Sequence, residues 1–105
     1  MTEQEWAACN DPDLMLETLE GKVTRDLLVE FVHRCWERVT VHLPMTNEST
    51  AANQFATFAP ELSDHDAVLY ASEAALKAAR WAPNLREEQR HQAALLRQLV
   101  RDSTG

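Results

Sequence analysis

Glycine and proline are scarce in this 105-residue chain: two glycines and four prolines. With glycine only at positions 21 and 105, no glycine-rich phosphate loop can be written into the sequence, and no serine sits in a Gly-x-Ser-x-Gly elbow. Cysteine is equally thin. Cys9 and Cys35 make neither a disulfide framework nor the paired spacing of a zinc site, and are expected to be two buried thiols. No uncharged apolar run approaches the ~18 residues of a membrane span. The opening Met1-Thr2-Glu3-Gln4-Glu5-Trp6 is acidic and has no apolar signal core, so the expectation is a cytoplasmic protein. Nor is there an alternating β-branched stretch long enough for a strand.

Basic residues are also in deficit, ten Lys and Arg against seventeen Asp and Glu, for a net charge of -7. Affinity for nucleic acid comes from neutralising phosphates, so this balance argues against it. The charge is uneven. Residues 1–20 hold six carboxylates and no Lys or Arg, whereas residues 80–101 hold five arginines against two glutamates. The two ends are therefore expected to lie near each other, within one fold or across a dimer.

What is present is helix punctuation. Thr2-x-x-Glu5 is a capping box that opens a helix over about 3–9. Asp11-Pro12 supplies an N-cap and a first helical residue, and Gly21 a left-handed stop, for a helix over about 12–20 that buries Leu14 or Met15, Leu16 and Leu19. Thr24 caps a third helix, about 25–43, with Leu28, Phe31, Val32, Cys35, Val39, His42 and Leu43 on one stripe and Trp36 at its edge. Pro44 ends it and a polar loop follows. A fourth helix over about 48–59 buries Ala52, Phe55, Ala56 and Ala59 before Pro60 breaks it. Ser63-x-x-Asp66 starts a helix over about 64–81 whose stripe is alanine: Ala67, Ala71, Ala74, Ala75, Ala78 and Ala82. Beyond Pro83-Asn84, a last helix over about 85–101 carries Leu85, Leu95, Leu96, Leu99 and Val100. The expected fold is all-α, one compact domain of five to six helices over 1–105, with 102–105 a disordered tail.

The run Glu5-Trp6-x-x-Cys9-x-Asp11-Pro12-x-x-Met15-Leu16-x-x-Leu19-x-Gly21-Lys22 resembles the opening of a family of small uncharacterised proteins from planctomycete-type bacteria. Phe31, Cys35 and Arg38 in the third helix, and Gln92 to Arg97 near the end, are similar to that family too. His33 and Trp36 stand where the family often has further cysteines, and Gln98 to Gly105 lack its Gly-Asn-Pro-Phe tail. The resemblance implies the same helix boundaries and brings no activity with it.

Two Glu-x-x-His motifs, Glu30–His33 and Glu88–His91, are the sharpest chemical signal. Di-iron bundles use such pairs with two further glutamates, for which Glu17 and Glu73 are available, all pointing inward. At about 100° per residue, Glu30 and His33 lie opposite their helix's apolar stripe, and Glu88 and His91 lie on the flank of theirs, as solvated side chains. Cys35 and His33 are two residues apart and point to different sides. His42, on the stripe, is read as a core or cap histidine. Asp64-His65-Asp66 sits in a first helical turn, where carboxylates suit the helix dipole. No catalytic residue, metal ligand or cofactor is therefore assigned.

Gln89 and Gln92 are the anomaly, because they project near the middle of the last helix's apolar stripe, where amides need partners. Polar groups of that kind fix register between helices of different chains, and edge tryptophans anchor interfaces. The sequence thus reads as a non-enzymatic helical protein–protein interaction module. It is expected to be homodimeric through Trp36, Trp81, Gln89, Gln92, Leu96 and Leu99. The alternative is a small enzyme or metal-binding protein using His33, His42 or His91 with nearby carboxylates. A third reading is an acidic regulator that binds a basic partner through residues 3–20.

Overall fold

Local capping chemistry sets most of the boundaries in the computed structural model, which describes residues 2–39 and 50–104. Helix α1 is Glu3–Ala8, and its capping box is complete: the Glu5 N–H donates to Thr2 Oγ1 (3.1 Å) and the Thr2 N–H to the Glu5 carboxylate (3.4 Å). Helix α2 is Pro12–Thr18, capped by Asp11, which accepts from the Asp13 N–H at 3.0 Å. Gly21 then turns the chain with φ +76°, a conformation that a Cβ would strain. Helix α3 is Arg25–Val39, where Thr24 Oγ1 accepts from the Leu27 N–H. The expected last turn with His42 and Leu43, the Pro44 stop, the following loop and the first two residues of the fourth helix lie outside the described residues.

Helix α4 is Thr50–Phe58 and runs directly into a 3-10 turn, Ala59–Glu61. Pro60 does not simply break the helix. It sits in the first turn of the 3-10 segment, where no N–H is needed. Helix α5 is Asp64–Ala79, capped by Ser63, and α6 is Leu85–Thr104, where Asn84 Oδ1 accepts from the Glu87 N–H. Residues 102–104, expected in a tail, continue α6 as helix.

The fold is an all-α bundle, with no strand among the described residues. Its radius of gyration, 13.0 Å, is that of one compact domain of this length. Helix α3 is central. It packs most extensively on α5 and also meets α4 and α6, so it buries more than one stripe: Leu27, Leu28, Phe31, Val32, Cys35, Trp36 and Val39 are all inside. Trp36, expected at an edge, is therefore a core residue. The alanine stripe of α5 is buried from Ala67 to Ala78, and its small side chains let neighbouring helices approach. Phe55 of α4 closes that end, with its ring stacked on Tyr70 at 5.0 Å. In α2 the alternative left open by the sequence resolves to Met15, and Leu14 is 47% exposed.

Candidate functional site

Two seams between helices each combine a cleft with polar contacts across it. The first joins α3 to α6. Glu88, expected to be solvated, is 7% exposed, and its carboxylate takes both ends of a guanidinium fork: Arg38 Nε donates to Oε2 at 2.8 Å and Nη2 to Oε1 at 3.2 Å. The paired carboxylate holds the Arg38 pKa above its ordinary value, chiefly through that hydrogen bond. Beside the pair, Cys35 is buried and its thiol pKa is pushed far up, first by desolvation and then by the Glu88 charge. A thiol held protonated is neither a nucleophile nor a metal ligand. Cys9 is half-buried and both thiols are free.

Above the pair lies a cleft of about 670 Å³ between the same helices, lined by Glu30, Arg34, Glu37, His91, Leu95 and Gln98 among others. It brings one half of each Glu-x-x-His motif to the same place, Glu30 and His91. Neither is poised for chemistry. Glu30 is held by Arg34 at 2.6 Å, and that contact raises the Arg34 pKa. The nearest carboxylate to His91 is Glu87, at 4.0 Å on its own helix. His33 is half-buried elsewhere on α3, and His42 lies outside the described residues. Among the described residues no three His, Cys, Asp or Glu side chains converge at metal-binding distance. Glu17 and Glu73 are exposed on α2 and α5.

The remaining residues singled out by sequence divide into two groups. Trp36, Gln92 and Leu96 are spent inside the chain, whereas Trp81, Gln89 and Leu99 are half-buried at the surface. Gln92 is 1% exposed and ties two helices together by donating from Nε2 to the Ala75 carbonyl of α5 at 2.9 Å. That bond sits at the α5–α6 seam and uses one end of the amide; Gln92 Oε1 is buried without a partner among the described residues. Leu85, expected on the buried stripe, is 42% exposed, and Glu88 and Gln92 occupy buried positions beside Ala93 and Leu96.

The second seam joins α2 to α5, and sequence reasoning did not single it out. A groove of about 240 Å³ runs between them, with Val68 and Leu69 on one side and the carboxylates Asp13, Glu17 and Glu20 on the other. Two polar contacts tie the helices across it: Glu20 to His65 Nδ1 (2.6 Å), and the Ser72 hydroxyl donating to Asp13. Leu69 is 51% exposed, and Asp66 and Glu73 of α5 lie within one turn of it on the surface. The visible signal was Leu69 itself, a large apolar residue off the alanine stripe and flanked by acids.

The two chain ends do meet, as the charge asymmetry implied. Arg97 Nη1 donates to the Cys9 carbonyl at 2.6 Å, and Val100 and Trp6 line one small cleft. The contact is to backbone, and among the described residues no carboxylate of α1 or α2 is paired with Arg86, Arg90 or Arg97. No helix of the described residues is long and apolar enough to cross a membrane. No protein-family model, curated protein or solved structure matches this chain.

Proposed function

We propose that this chain is a helical protein–protein interaction module of the cytoplasm, without catalytic chemistry of its own, and that it works through the α2–α5 groove. One observation carries the reading. Leu69, about half exposed, lines a groove walled on its other side by the carboxylates Asp13, Glu17 and Glu20. Large apolar side chains beside concave surface are where a partner's side chains gain most from leaving water. The charged groups that would serve an enzyme support the same reading, since Glu30, Arg34, Arg38 and Glu88 are engaged with one another. The free thiols of Cys9 and Cys35 suit a reducing compartment.

The groove lies within reach of the acidic segment 3–20, so the interaction module and the acidic regulator become one reading with one surface. A photo-reactive residue placed at position 69 is expected to yield a discrete protein adduct in the native host, and the same residue at position 98, in the α3–α6 cleft, none. Adducts only from position 98, or from neither position, would count against the proposal.

A further inference from the structure

We infer that the occupant of the α2–α5 groove is the arginine flank of α6 from a second copy of this chain. This rests on the reading of the groove as an interaction surface and names its partner.

Arg86, Arg90, Arg97 and Arg101 fall within about 60° of one another on α6 at ~100° per residue, so they share one flank. Arg97 is committed to the Cys9 carbonyl. Arg86 and Arg90 are exposed, and neither makes an ion pair among the described residues. Leu85, the exposed leucine of α6, immediately precedes Arg86, and the half-buried Gln89 lies between the two in angle. The flank therefore offers an apolar knob with two unpaired guanidinium groups beside it.

The groove offers the converse. Glu17 is exposed and unpaired among the described residues, Asp13 and Glu20 line the groove with it, Val68 and Leu69 supply apolar surface, and the exposed Glu73 follows one turn after Leu69 on α5. Arginine is suited to such a place. Its aliphatic stem covers a leucine while its planar head takes a carboxylate with two hydrogen bonds. Three arginines of α3 are matched within the chain: Arg25 with Asp64, Arg34 with Glu30, Arg38 with Glu88. Glu17 beside the groove and Arg86 and Arg90 on α6 have no such match among the described residues. In a two-fold pair each copy gives its α6 flank and receives the other's, so the contact is made twice. The net charge of -7 opposes association, so the pairing is concentration-dependent and depends on this local match.

Charge reversal tests the assignment. One variant carries Glu17→Arg with Glu73→Arg, the other Arg86→Glu with Arg90→Glu, and circular dichroism checks that both remain helical. In sedimentation equilibrium from micromolar to millimolar, wild type is expected to self-associate. Each variant alone should associate at least about tenfold more weakly, and an equimolar mixture of the two should recover the wild-type affinity. Wild type that stays monomeric throughout, association that ignores both reversals, or a mixture no tighter than its parts would each overturn the proposal. A monomeric wild type that still forms an adduct with another protein from position 69 would reject the second copy as occupant and leave the interaction reading intact.

Discussion

Replacing Arg38 by alanine is expected to lower the stability of the fold by about 2–3 kcal/mol, read as a lower urea midpoint with an unchanged slope. The reason is asymmetric burial. Glu88 is 7% exposed, whereas the Arg38 side chain is 39% exposed. Removing the arginine strands a buried carboxylate. Removing the glutamate leaves a guanidinium that can turn outward, so Glu88→Ala should cost less, about 1 kcal/mol. Fully buried pairs lose ~3–5 kcal/mol on such a cut, and the partial exposure of Arg38 places this one below that range. For a domain whose whole stability is roughly 5–15 kcal/mol the loss is large. Replacing both residues by leucine should return the protein to within about 1 kcal/mol of wild type, because neither charge then has to be desolvated. An Arg38→Ala variant losing less than Glu88→Ala would show that the pair is solvated.

That pair also marks where sequence reasoning stops. The caps at Thr2, Asp11-Pro12 and Ser63 and the left-handed turn at Gly21 were legible because each is decided within four residues of itself. Asn84 belongs with them, since its cap on Glu87 is equally local. Arg38 and Glu88 are fifty residues apart. Each sits on the flank of its helix's apolar stripe, and an opposite charge on each of two flanks was the available hint, but nothing local says that those flanks face each other. Trp36 shows the same limit. One stripe describes a helix with one neighbour, whereas α3 is covered by α4, α5 and α6, so residues well off the stripe's centre are also buried. Gln92 was correctly singled out as a buried amide in need of a partner. That its partner is the Ala75 carbonyl of the same chain is a tertiary fact.

The second large effect is expected in alkali and belongs to Cys35. Burial pushes its thiol pKa up in the folded state, and the Glu88 charge adds to that, with Arg38 opposing in part. In the unfolded chain a thiol titrates near ~8.5. Above that pH the unfolded state gives up a proton that the folded state keeps, so the unfolded state binds fewer protons and stability falls as pH rises. The fall attributable to this one thiol is about 2 kcal/mol between pH 8 and pH 10. Urea midpoints at the two pH values should therefore drop more steeply for wild type than for Cys35→Ala. Equal slopes for wild type and Cys35→Ala would mean that the thiol reaches solvent in the folded protein.

Both effects concern groups whose charge and reactivity are consumed by folding, and they direct attention to the charges that are not. The acidic α2–α5 groove and the arginine flank of α6 are the surfaces on which the proposed function depends. A dilution series of amide proton–nitrogen correlation spectra on the intact chain, from millimolar to micromolar, tests this most directly. The prediction is concentration-dependent shifts at Asp13, Glu17, Leu69 and Glu73 together with Arg86 and Arg90, while Glu30 and Gln98 of the α3–α6 cleft stay fixed. Spectra that do not change with concentration, or shifts confined to the α3–α6 cleft, would contradict it.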